Sequence, residues 1–154
     1  MKTNLTPQDL ISFEEEIGEC FNNAEIRAPI HLYSGNEEKI IKIFEDVKEE
    51  DYVFCTWRSH YQCLLKGVPR DRLKKDILAG KSITLCYPEY RIFSSAIVTG
   101  SIPIANGRAL AEKRKGSTAN VWCFVGEMTS ETGSFHENVK YSTSQNLPIT
   151  WVVE

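Results

Sequence analysis

The stretch 121-VWCFVGEMTSETGSFHENVKYSTSQNLPITWVVE-154 decides the fold. Val121 to Val125 is a continuous apolar run, the pattern of a strand buried on both faces of a parallel sheet. A tight turn at Gly126 leads to a predicted helix from Ser130 to Gln145, Pro148 follows it, and Ile149 to Val153 reads as a second strand. Strand, crossover helix and parallel strand make one α/β unit. In such units ligands gather beyond the carboxyl ends of the strands, where a helix start offers N–H groups and partial positive charge to an anion. Glu127 stands in that turn, placed to hold a divalent metal beside a phosphate.

Upstream, Pro103 opens a helix through Ile104, Ala105, Ala109, Leu110 and Ala111, in which Gly107 is expected to permit a close neighbour. Lys81 to Gly100 lacks helical period and reads as loop with short extended pieces. At the other end, Thr6 and Pro7 form an N-cap and first helical position ahead of an apolar stripe, Leu10, Ile11, Phe13, Ile17 and Phe21, so a helix reaches about Asn22. Further helices are predicted over Gly35 to Val47, Trp57 to Lys66 and Pro69 to Ala79, the last stopped by Gly80. Only two strands are placed by this reading, whereas a doubly wound sheet ordinarily has five or six. The expectation is therefore a single α/β domain over residues 1–154, a parallel sheet flanked by helices and apparently incomplete.

Composition bounds the partners. The chain has 154 residues, an apolar share of 42% and a charged share of 25%, which suit one globular domain. A net charge of -3 argues against bulk nucleic-acid binding, and the basic run Lys113 to Lys115 reads as a solvated helix end. No apolar run approaches the roughly 18 residues of a membrane span, and MKTNLTPQDL has no signal-peptide core; the expected location is cytoplasmic. Five cysteines, with no C-x-x-C pair, fit a reducing compartment and small core hydrophobes. The histidines His31, His60 and His136 show no zinc spacing with them.

Two motif readings fail. Gly80-Lys81-Ser82 resembles the end of a P-loop, but Lys75 stands where the first glycine is needed. A serine hydrolase lacks its G-x-S-x-G elbow.

Several separated segments carry a resemblance: His31-Leu32-Tyr33-Ser34-Gly35-Asn36-Glu37; Asp51-Tyr52-Val53-Phe54; Thr56-Trp57-Arg58-Ser59-His60; Lys66-Gly67-Val68; Ala96-Ile97-Val98-Thr99-Gly100 with Pro103, Ala105 and Gly107; and Gly126-Glu127-Met128 with Gly133, Phe135, Glu137, Leu147-Pro148 and Val152-Val153-Glu154. In this order they resemble the alpha subunit of the thiamine-diphosphate-dependent component of 2-oxo acid dehydrogenase complexes. The family patterns are H-L-x-x-G-Q-E, D-x-V, Y-R-x-H, G-I-V-G-A-x-x-P-x-A-x-G and a G-D-G turn followed by L-P-x-x-x-V-x-E. Each is weak alone; their order and register are specific.

The resemblance implies the N-terminal part of a fold that binds the diphosphate end of thiamine diphosphate with Mg2+, while a beta-type subunit holds the aminopyrimidine. By position, Arg58 would fork onto a diphosphate oxygen, which lysine could not do. Trp57 stands for a tyrosine and would donate from its indole N–H. Val98 would contact the aminopyrimidine, although a core valine explains it equally. His60 matches a histidine near the active-site entrance and His31 one beside the cofactor, the implied catalytic pair; a core or surface histidine is the open alternative for both. Gly126, Met128 and Thr129 would form the cofactor-facing turn, a branch of the family reading G-D-M-T-A-E-T-G there. Glu127 replaces the aspartate that binds magnesium, and its extra methylene must be absorbed around an ion that wants oxygens at about 2.0–2.1 Å. A metal-binding asparagine follows the strand's glutamate in the family and a catalytic histidine comes later, so a sequence ending at Glu154 implies a truncated or split subunit. The implied activity is decarboxylation of a 2-oxo acid or a transketolase-like two-carbon transfer, performed only with a beta-type chain, with a separate C-terminal half or as a homo-oligomer. The alternative is a non-catalytic interaction module of the same fold that no longer binds the cofactor.

Overall fold

The computed structural model describes residues 4–154, and the first three residues of the N-terminal reading lie outside them. Helix α1 spans Pro7–Asn22. Thr6 is its N-cap, as the sequence predicts, and Asp9 completes a capping box with it: Asp9 N–H donates to Thr6 Oγ1 at 3.3 Å and Thr6 N–H to Asp9 Oδ2 at 2.7 Å. Leu10, Phe13 and Ile17 are buried from that stripe, but Phe21 turns outward and is exposed. Helix α2 is Glu37–Phe44, strand β1 Tyr52–Cys55, α3 His60–Leu65 and α4 Arg70–Asp76. A wide helical turn, Ile77–Lys81, extends α4 and ends as Gly80 reaches φ +83.

Strands β2 (Cys86–Tyr87) and β3 (Ile92–Ser94) follow, then α5 (Ser101–Lys115), β4 (Val121–Val125), α6 (Glu127–Ser130), α7 (Gly133–Ser144) and β5 (Ile149–Val153). The sheet has five strands in the order β2-β3-β1-β4-β5. All neighbours pair parallel except β2, which runs antiparallel to β3.

Three strands thus join the two expected, and the sheet is mixed at one edge. β1 and β3 hold four and three residues, too few to display a period of two, yet β1 pairs on both sides and anchors the middle. The predicted helix from Trp57 starts only at His60, leaving Trp57 to Ser59 as loop. The predicted Ser130 to Gln145 helix divides into a single turn, α6, and then α7, which Thr132 caps by accepting from Phe135 N–H at 3.3 Å. Gly107 meets nothing within 4 Å where a Cβ would stand, so it permits no close approach within this chain.

β4 is buried on both faces, as its composition requires. Phe124 joins one core with Val53, Cys55 and Ile92, packed under α1 to α4. Val121, Cys123 and Val125 join another with Phe54, Ile102, Ala105 and Ala109 beneath α5. At the amino ends of β1 and β4, buried Asp51 accepts from Asn120 N–H at 2.8 Å, Trp122 Nε1–H at 3.0 Å and Lys48 N–H at 3.0 Å, which fixes the register of the two central strands. Cys20, Cys55, Cys63 and Cys123 are buried while Cys86 is exposed; burial pushes the Cys123 thiol up to about 12. Lys113 to Lys115 occupy the exposed last turn of α5, closed by Gly116 at φ +65. Among the described residues no helix is long and apolar enough to cross a membrane.

Candidate functional site

Because β1, β4 and β5 run parallel as neighbours, their carboxyl ends open on the same edge. The chain leaving β1 carries Thr56, Trp57 and Arg58; that leaving β4 carries Gly126 to Thr129; β5 ends at Glu154. The loop after β3 adds Val98. These residues line one cavity of about 260 Å3. The six cofactor-binding candidates, Trp57, Arg58, Val98, Gly126, Met128 and Thr129, and the metal candidate Glu127 therefore meet around one hollow, although they lie in three distant parts of the sequence.

The turn after β4 is pinned from β5. Glu154 N–H donates to Val125 O at 3.0 Å and Glu127 N–H to Glu154 O at 3.1 Å, continuing the ladder past the strand ends. Thr129 is buried and its N–H donates to Gly126 O at 3.0 Å. Glu127 and Met128 are exposed at the cavity's mouth. A Cβ on Gly126 would stand 3.9 Å from Glu154 O, so no crowding demands glycine there.

Arg58 is exposed, with its guanidinium 5.7 Å from the centre of the Tyr33 ring. Behind it lies a polar cluster built from side chains distant in sequence. The Tyr33 hydroxyl is 2.5 Å from Glu154 Oε1 and 3.1 Å from the Arg58 carbonyl oxygen. Gln62 donates its amide to Tyr33 and, at 3.1 Å, to Glu154 Oε1, and Asn36 Nδ2 donates to Glu154 Oε2 at 3.2 Å. Burial pushes the Glu154 carboxyl up, against these hydrogen bonds and the charge of Arg58. Tyr33 also stacks on Tyr61, ring centres 4.6 Å apart, and the Tyr61 hydroxyl donates to Glu37 at 2.8 Å. Tyr33 and Asn36 fall inside the His31 to Glu37 motif, but Gln62 sits in an otherwise apolar helical turn and offered no signal.

The two histidines behave differently from the cavity residues. His60 is fully buried: Nδ1 lies 3.1 Å from both Glu14 carboxylate oxygens and Nε2 2.9 Å from Ser82 Oγ. The expected place at an active-site entrance is thus not where His60 stands; both ring nitrogens are engaged inside the core, tying α3 to α1. His31 is exposed and packs on Trp57, ring centres 5.7 Å apart, behind the cavity wall. A larger cavity of about 500 Å3 lies between α1 and the segment Leu32 to Glu37, but it is lined by Glu14, Glu15, Glu19 and Glu37 with no cationic side chain, which disfavours an anion.

Residues 7–154 match the family model described as dehydrogenase E1 component. The chain belongs to the dehydrogenase E1 component family. It is 29% identical over 158 aligned residues to the alpha subunit of acetoin:2,6-dichlorophenolindophenol oxidoreductase from Bacillus subtilis, covering 95% of this chain and 47% of that relative. It is 26% identical to the pyruvate dehydrogenase E1 component subunit alpha of Porphyra purpurea, covering 93% of this chain and 46% of that one. The chain thus spans about half the length of these relatives. A solved thiamin diphosphate-dependent enzyme from Mycobacterium smegmatis shares its fold, with a TM-score of 0.50 and 16% identity over 72% of this chain and 18% of that structure.

Proposed function

We propose that this E1 chain supplies the diphosphate and metal side of a thiamine diphosphate site in a multi-chain 2-oxo acid dehydrogenase or related oxidoreductase. The observation that carries the reading is the meeting of Arg58, Val98 and the Gly126 to Thr129 turn around one cavity at the carboxyl ends of parallel strands, the expected place for a phosphate ligand in an open α/β sheet.

The donor set fits a particular form of that ligand. Arg58 is the cationic side chain lining the cavity, and Glu127 and Glu154 are carboxylates beside it. A bare diphosphate facing them would meet like charge; one carrying Mg2+ would let Glu127 ligate the metal while Arg58 binds a phosphate oxygen bidentately. Magnesium takes about six oxygens, so the remaining ligands come from phosphate, water and groups beyond these side chains. Tyr33, holding the Arg58 carbonyl, and Gln62, holding Tyr33, fix the base from which Arg58 reaches. Val98 and Met128 give the cavity an apolar lip. Thiamine diphosphate, when bound, supplies the carbanion chemistry of 2-oxo acid decarboxylation; a beta-type subunit would cover its aminopyrimidine end.

His60, buried between Glu14 and Ser82, supports the second reading, a module of this fold that binds a partner and does no chemistry. Calorimetry separates the two. Thiamine diphosphate with Mg2+ is titrated into the chain alone and into its mixture with a beta-type subunit. Heat that vanishes when Mg2+ is chelated supports the cofactor reading; no heat in either sample leaves the interaction module.

A further inference from the structure

The larger cavity, between α1 and the segment Leu32 to Glu37, has the form of a groove. Ile11, Glu14, Glu15, Gly18, Glu19 and Asn22 line one side, at the three- and four-residue steps that make a single helical face, so this wall runs for about three turns, or about 16 Å. Leu32 stands on the opposite wall, and buried Tyr33 and Tyr61, their rings stacked 4.6 Å apart, close the base. Gly18 keeps the groove open: the Cβ that it lacks would stand 3.5 Å from Leu32 Cδ1, and a long side chain there would project between the walls.

Charge on this face is unbalanced. Arg70 and Lys74 pair with Glu16, which does not line the groove, and His60 meets Glu14 from inside the core. Buried Glu37 receives neutral donors, the Gly35 N–H and the Tyr61 hydroxyl. Among the described residues no hydrogen bond or ion pair engages the exposed side chains of Glu15 and Glu19. Four carboxylates thus face an apolar and aromatic slot that no cationic side chain lines.

Spacing selects the occupant. Glu15 and Glu19 repeat at about 6 Å along the helix, and alternate side chains of an extended chain repeat at about 6.7 Å. A cavity of about 500 Å3 spread over the length of that wall is too narrow for a helix, which is about 10–12 Å across. From the open slot, its uncompensated charge and this match of spacing, we infer that the α1 groove docks an extended basic segment of a partner protein. Lysine or arginine at alternate positions of that segment faces Glu15 and Glu19, and its backbone passes over Gly18. The inference is independent of the cofactor reading, since none of the cofactor or metal candidates lines this groove.

The test titrates the full chain, without cofactor, into a fluorescein-labelled heptapeptide of alternating alanine and lysine and reads its anisotropy. Glu15→Lys and Glu19→Lys, both at exposed positions, each raise Kd about fivefold. Glu45→Lys, the same charge change at an exposed position outside the groove, raises it less than about twofold at physiological salt. Gly18→Met fills the slot and weakens binding, whereas Gly18→Ala, whose Cβ makes only ordinary contact with Leu32, does not. A heptapeptide with its three lysines contiguous binds more weakly than the alternating one. Should Gly18→Met fail to fold, the charge reversals and the two peptides decide the matter. No binding of the alternating peptide overturns the inference. Equal weakening by Glu45→Lys, or equal affinity for the two peptides, reduces the effect to bulk charge and overturns the groove. Spermine that displaces the peptide at or below the peptide's own Kd assigns the slot to a free polyamine instead.

Discussion

Glu37 is buried beneath the cavity's supporting cluster, where Gly35 N–H donates to its two oxygens at 2.9 and 3.1 Å and Tyr61 donates at 2.8 Å. Burial raises its carboxyl, and these hydrogen bonds more than reverse the effect, leaving it below the usual carboxylate range. A depressed carboxyl contributes stability above its unfolded pKa of about 4.3 and loses it as pH falls through the folded value. Glu37→Gln is expected to cost roughly 1–2 kcal/mol at pH 7, and the gap between wild type and variant to close below about pH 4; urea titrations at pH 7 and pH 3 measure both. At the cavity itself, Glu127→Asp shortens the carboxylate toward the family's own residue and should raise Mg2+-dependent thiamine diphosphate affinity severalfold, while Arg58→Lys should lower it about tenfold through loss of the bidentate contact. An aspartate variant with unaltered magnesium dependence would remove Glu127 from the metal. That Arg58, Val98 and Glu127 come together at one cavity was legible in the sequence because each occupies a fixed step of a motif. Gln62 and the core placement of His60 were not: residue type gives no sign of which way a side chain on a short, entirely buried helix points.

Elements were legible in proportion to their length and their punctuation. α1 ends where its stripe and caps say it should, and β5 matches its predicted span. β1 and β3 escaped because a strand of four residues or fewer owes its pairing to neighbours distant in sequence. The break between α6 and α7 was hidden by helix-compatible residues around Thr132, whose side chain acts as a new cap. Thr132→Ala removes that acceptor and should cost about 1 kcal/mol. The loss is expected as faster amide exchange confined to the first turn of α7; uniform acceleration across the sheet would show that the cap stabilises more than its own helix.

Across the whole molecule the two cores share the sheet and meet at β4, so neither can come apart without exposing the other. Phe124 is fully buried on one face, its ring 5.8 Å from that of Phe44, while Val121 and Cys123 of the same strand face the opposite core. Phe124→Ala should therefore cost about 3–5 kcal/mol and lower the urea midpoint without broadening the transition. Circular dichroism and fluorescence should report the same midpoint; separated transitions would mean that the layers unfold independently.

The clamp that Asp51 places on Trp122 has a practical corollary. An indole whose N–H is held by a buried carboxylate at the rear of the sheet, and another, Trp57, at the rim in front, place two of the protein's three tryptophans, the third being Trp151 on β5, as built-in optical probes at opposite ends of its central strands. Their emission should respond to different events, the rear probe to loss of strand register and the front one to whatever enters or covers the hollow. Replacing each in turn by phenylalanine would assign the two signals.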